Sequence, residues 1–235
     1  MKNKILFDFK EDMIMIGIIL VFSIICGIIM DVVAVKGGSS TDYFVSTLIV
    51  IGGFCALSFI GGMYFKRKFN IHISMSGKRS ELIISELIVF TIECLILYLL
   101  SFLALLIEDR ILLWLGVGTG LDGYTAVDSI FDSGAVILYF FGALLVRFYL
   151  GWASLKFNDI GCVVAILAPM YCALFFSWLA ERNATIERFL WKLEDFDNKL
   201  YQIWSLLPCI ILAAVMVVII FIIVRSIKRQ TVRFN

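Results

Sequence analysis

Proline is nearly missing from this chain, with two in 235 residues, and histidine occurs once. The first scarcity excludes proline-rich linkers. The second excludes histidine-built metal centres, including the paired-histidine site of a metalloprotease. Phosphate loops are lacking too. A P-loop needs Gly, four residues, then Gly-Lys-Ser/Thr. The one Gly-Lys pair, Gly77-Lys78, has His72 five positions before it and Arg79 after it. No lysine follows the glycines of Gly116-Val117-Gly118-Thr119-Gly120. No nucleotide site, metal or cofactor is therefore expected on this chain. His72 reads either as a proton shuttle or as a polar residue at a docking surface, and no nucleophile is placed beside it to build a serine or cysteine triad.

Apolar residues are what the chain has in excess. They make up 62% of it, with a mean hydropathy of +1.01, against roughly 45–50% in soluble domains. This composition is that of an integral membrane protein. About 20 apolar residues cross the hydrocarbon core as a helix, and six such runs are read: 13–33, 43–65, 82–107, 133–152, 161–180 and 205–225. The runs are too long for the strands of a β-barrel, and none alternates in polarity. The expected fold is all-α, with residues 1–235 forming one six-helix transmembrane domain. No small-residue cleavage site follows Lys2, Lys4 and Lys10, so the first run reads as a retained span rather than a secretory signal.

Charge distribution sets the orientation. With the N-terminus inside, the inner segments hold Lys2, Lys4, Lys10, Lys66, Arg67, Lys68, Lys78, Arg79, Arg147, Lys156, Arg225, Lys228, Arg229 and Arg233. The outer segments hold only Lys36, Arg110, Arg182, Arg188, Lys192 and Lys199. The positive-inside rule therefore predicts both termini in the cytoplasm of a multi-pass protein of the cell membrane. A formal net charge of +1 gives no reason to expect nucleic acid as a partner. All six cysteines fall within predicted spans and read as small packing residues. A Cys172–Cys209 disulfide near the outer face is the alternative.

Between the spans, residues 1–12 suit an interfacial helix, because Ile5, Phe9 and Met13 recur at helical spacing. Leu190, Leu193, Phe196 and Leu200, with Trp191, Tyr201 and Trp204, suit a short outer helix between the fifth and sixth spans. Three ionisable residues within the spans, Glu86, Glu93 and Arg147, matter most, because such residues are costly there unless paired or solvated. Glu86 and Glu93 are two helical turns apart on one face. Arg147 lies at the depth of Glu86 on a span running the other way, so these two can pair within a chain or across a dimer. Glu93 is expected near mid-bilayer with no cation at its level. It either lines a water-filled path or is protonated.

The stretch from Lys66 to Glu81 is the most informative. Lys66, Arg67 and Lys68 end the second span. Phe69, Ile71, Ile73 and Met75 follow as exposed apolar residues, and Ser76-Gly77-Lys78-Arg79 leads into the third span. An apolar knob with a cationic rim suits a groove on a soluble partner, or else membrane lipid held by the cations. This arrangement resembles the membrane subunits of ABC-2-type transporters, six-span proteins with a coupling helix between spans two and three.

The resemblance implies that Lys66, Arg67, Lys68, Phe69, Ile71, Ile73, Met75, Lys78 and Arg79 contact a separate ATPase, which would hold the ATP and Mg²⁺. It also implies a permease without enzymatic activity of its own. Such a subunit works as a homodimer or beside a second permease, and exports an amphipathic peptide, lipid or small molecule. Glu86, Glu93 and Arg147 would then border the translocation path or form an intramembrane pair. Two other classes stay open: a non-transporting accessory, immunity or sensor protein, and an intramembrane enzyme built on Glu86 and Arg147.

Overall fold

The computed structural model describes residues 2–36, 43–74, 78–114, 133–182, 192 and 206–229. Met75 and, apart from Lys192, the expected outer helix lie outside the described residues. Within them the chain is helical, with no strand. The helices are α1 (Lys2–Lys36), α2 (Phe44–Ser74), α3 (Arg79–Trp114), α4 (Ser133–Arg182) and α5 (Leu207–Arg229). Each contains a stretch long and apolar enough to cross a membrane, five among the described residues, as befits a multi-pass membrane protein.

Runs of Ile, Leu, Val and Phe reward burial, and unbroken helix is the form in which a lipid-embedded backbone satisfies itself. The two prolines obey the same logic. Pro208 sits in the first turn of α5, where its missing N–H costs no helical bond. Pro169 lies inside α4, which continues past it.

Close contacts fix the helix directions. Gly27 of α1 lies against the backbone of Val45, so the end of α1 meets the start of α2. Along α2, Gly53 faces Leu97 and Lys68 faces Glu86, so α3 runs the opposite way. Gly61 and Gly62 face Arg147 and Leu150, and Phe65 faces Gly151, so α2 and this part of α4 run together. Glycines at these positions let the backbones of α2 and α4 approach closely. Helix α2 thus contacts α1, α3 and α4, and α5 packs on α4.

One end of the bundle gathers Ser74, Lys78, Arg79 and Arg229 and is basic. The other gathers Asp31, Glu108 and Asp109 and is acidic. Between them Val50, Phe54, Phe65, Phe90, Leu97, Leu144, Phe148 and Ile223 form one core. Much of α1 and α5 turns apolar side chains outward, among them Phe22, Ile29, Phe221 and Ile222, as lipid-facing helices do.

Three helices run on where breaks are expected. Residues 2–12 continue into the first span as one 35-residue helix, rather than forming a separate interfacial one. The cations Lys66–Lys68 do not end α2, which continues to Ser74, so no separate coupling helix follows. The expected fourth and fifth spans are joined in the 50-residue α4. Charge is not a helix breaker: Lys and Arg have good helix propensity, and the Lys156–Asp159 stretch contains neither glycine nor proline. Cys209, offered above as a disulfide partner of Cys172, is a free thiol.

Candidate functional site

The centre of the bundle holds a line of four charged side chains. Glu86 and Glu93 project from one face of α3, two turns apart. Arg147 enters between them from α4, with Nη2 2.7 Å from Glu86 Oε2 and Nη1 3.0 Å from Glu93 Oε2. Lys68 of α2 adds its ammonium 3.4 Å from Glu86 Oε1. The order from the basic end inward is Lys68, Glu86, Arg147, Glu93. All four are buried: their exposures are 6%, 2%, 1% and 0%.

Two more features seat the guanidinium. It stacks 5.4 Å from the centre of the Phe90 ring, a cation–π contact strengthened by burial. On its other side is Gly61, where a Cβ would come within 2.5 Å of Arg147 Cζ. A small cavity lined by Ile16, Ala56, Leu57, Ile60 and Gly61 borders Arg147 as well. Charge compensation makes the burial tolerable. Removing water from one ion costs several kcal/mol, which is recovered only when opposite charges and hydrogen bonds replace it.

The structure brings Glu86, Glu93 and Arg147 together in one cluster within a single chain. It corrects the expectation that Glu93 lacks a cation: the arginine side chain reaches across the depth separating the two carboxylates. Lys68, expected on a cytoplasmic docking surface, belongs to the same cluster.

The remaining residues of the Lys66–Arg79 segment divide by helix face. Phe69 and His72 turn inward, and Ile73 packs partly against the core. Burial of Phe69 overturns its reading as an exposed knob, because the continued helix carries it into contact with the Phe65 ring. The outward face holds Arg67, Ile71 and Ser74, spaced i, i+4, i+7, followed by exposed Lys78, with Lys66 half-buried beside them. His72 Nε2 donates to the Lys78 carbonyl at 2.8 Å, joining the end of α2 to the start of α3. Arg79 donates to the Lys228 carbonyl at 2.6 Å, near the last turn of α5.

The acidic end holds a knot that the sequence did not reveal. Glu108 of α3 caps α2, accepting the Val45 N–H at 2.9 Å and the Ser46 N–H at 3.0 Å. Asp31 of α1 accepts from the Phe44 N–H, and its side chain meets that of Glu108. These bonds satisfy N–H groups that a helix start leaves open and place negative charge at its positive pole. Tyr43 just before α2 has φ of 50°, a costly region for a residue with a side chain. Its buried ring and the 2.8 Å bond from its hydroxyl to Asp109 hold it there. A largely apolar groove of about 440 Å³ opens beside the knot, lined by Ile24, Ile28, Ile107 and Ile111.

Among the described residues no group of His, Cys, Asp and Glu is arranged to hold a metal ion. Comparison with protein-family models, curated proteins and solved structures finds no match to this chain.

Proposed function

We propose that this chain is the membrane-spanning subunit of an ATP-driven, ABC-2-type transporter that exports an amphipathic peptide, lipid or small molecule. In this reading the basic end faces the cytoplasm, the chain crosses the cell membrane six times, and a separate ATPase binds ATP and Mg²⁺. The permease acts as a dimer, with a second copy or with a sister chain.

The observation that carries the reading is the two-faced end of α2. Its outward stripe of Arg67, Ile71 and Ser74, continued by Lys78, is a charged-and-apolar surface for a soluble partner. Its inward face carries Lys68, bound to Glu86 and through it to Arg147 and Glu93. A partner that pushes on the stripe moves a helix joined ionically to α3 and α4 deep in the bundle. Energy from hydrolysis elsewhere reaches the membrane core by that route. The docking set shrinks accordingly to Arg67, Ile71, Lys78 and the half-buried Lys66, because Lys68 and Phe69 face inward and Arg79 is engaged with α5.

Affinity purification of the tagged protein from its native membrane tests this. An ATPase subunit should co-purify, and its hydrolysis rate should rise when the two are reconstituted together. Charge reversal at Arg67 and Lys78 should release it. A chain that purifies without any nucleotide-hydrolysing subunit, or keeps that subunit after charge reversal, removes the transporter reading in favour of an accessory or sensor role.

A further inference from the structure

At the basic end, the seam between α4 and α5 carries cations that the buried cluster does not use. Trp152 donates its indole N–H to Ser226 Oγ at 2.9 Å, which fixes the register of α4 against α5 at that depth. The two helices run the same way here, so the next turn of each brings Lys156 on α4 and Arg229 on α5 to the same level. Helical spacing keeps both close to the seam, four residues after Trp152 and three after Ser226. Arg225 lies one turn above Arg229 on the same side of α5.

The setting of these cations differs from that of Lys68. Lys156 Nζ lies 4.9 Å from the Trp152 ring centre and 5.0 Å from that of Phe157, so two aromatic faces hold it. Lys156, Arg225 and Arg229 are exposed. The ion pairs seen among the described residues involve none of them. Tyr149 stacks on Trp152, which adds a third ring at this depth. Tyrosine and tryptophan concentrate where hydrocarbon gives way to headgroups. Immediately above Arg225 the outer face of α5 is bare and apolar, with Val218, Phe221 and Ile222 exposed.

We infer that the Lys156–Arg229 seam seats the headgroup of an anionic phospholipid, with Arg225 as its third cation. A phosphodiester has the charge to bridge cations on two helices. An acyl chain attached to it would lie along Val218, Phe221 and Ile222, surfaces for which a free phosphate has no use. A choline lipid brings its own cation, which three positive side chains repel. This site is separate from the α2 stripe and does not depend on the transporter reading.

Native mass spectrometry of the full-length protein, titrated with phosphatidylglycerol or phosphatidylcholine, tests the inference. Phosphatidylglycerol should bind in preference. Each basic residue near a membrane surface contributes about 1 kcal/mol, so Lys156→Gln with Arg229→Gln should weaken binding about thirtyfold. A control pair at the same end, Arg67→Gln with Lys78→Gln, should weaken it clearly less, because those side chains lie on another helix face and reach the seam only through screened long-range charge. Equal retention of phosphatidylcholine overturns the inference. So does an equal loss in the control pair, since the attraction would then be general surface charge. Should the seam pair fail to fold, Arg225→Gln alone serves, with an expected loss of about fivefold and no change overturning the site.

Discussion

Gly61 and Arg147 occupy one space: a side chain on the glycine would begin within 2.5 Å of the guanidinium carbon. The absence of a Cβ on α2 is thus what lets α4 place a charged group in the core. The pair links the close approach of two helices to the burial of four charges.

Gly61→Ala should cost about 1–3 kcal/mol, the usual penalty for overpacking a filled core. Gly142 on α4 provides the control, because nothing lies within 4 Å of a Cβ built there. Gly142→Ala should be neutral or stabilise by up to about 1 kcal/mol, as alanine does in place of helical glycine. Thermal unfolding of both variants in detergent checks the difference in sign.

Arg147→Ala leaves Glu86 and Glu93 buried without the cation they share, and should cost about 3–5 kcal/mol. Arg147→Lys should recover only part of this, since a single ammonium cannot reproduce the fork that reaches both carboxylates. Glu93→Gln should be milder than either. Unfolding midpoints across the three variants give the order. An Arg147→Ala protein as stable as wild type would show that the cluster does not hold α3 to α4.

Glu108→Ala removes the cap on two N–H groups of α2 and should cost about 1–2 kcal/mol. Glu108→Gln keeps one acceptor oxygen and should lie between. Hydrogen exchange at the Val45 and Ser46 amides gives a local readout: both should exchange faster in the alanine variant, while amides near Phe65 stay protected.

Six crossings require α4 to be used twice. At 1.5 Å per residue its 50 residues extend about 75 Å, well beyond a hydrocarbon core of about 30 Å. In the membrane the chain should therefore turn between Lys156 and Gly161. Cysteines placed at Lys156 and at Arg182 should then react with an impermeant thiol reagent from opposite sides of the membrane, in a background where the native cysteines are replaced. Labelling of both from one side would overturn the turn in α4 and the six-crossing reading with it.

The long apolar runs made the helical membrane fold legible, because crossing lipid demands length and hydropathy that no other segment has. The closeness of Glu86 and Arg147 was legible from depth along antiparallel spans. Arginine's reach was not, and a depth count by Cα positions left Glu93 without a cation although the guanidinium extends to it. Lys68 and Phe69 were misplaced because a run of charge looked like the end of a helix. Continued helix puts those two on the inner face and Arg67 and Ile71 on the outer. The Glu108 cap was invisible for another reason: donor and acceptor lie 63 residues apart, and local reading of a helix start looks only a few residues either way.

The buried cluster has as many cations as carboxylates. If Lys68, Glu86, Arg147 and Glu93 shift together along the bilayer normal, the displaced charges cancel and no electrical work is done against the transmembrane voltage. A single charge crossing the full field would instead exchange about 2.3 kcal/mol per 100 mV. Motion of this cluster as a unit would therefore add no voltage dependence of its own to any movement of the helices that carry it.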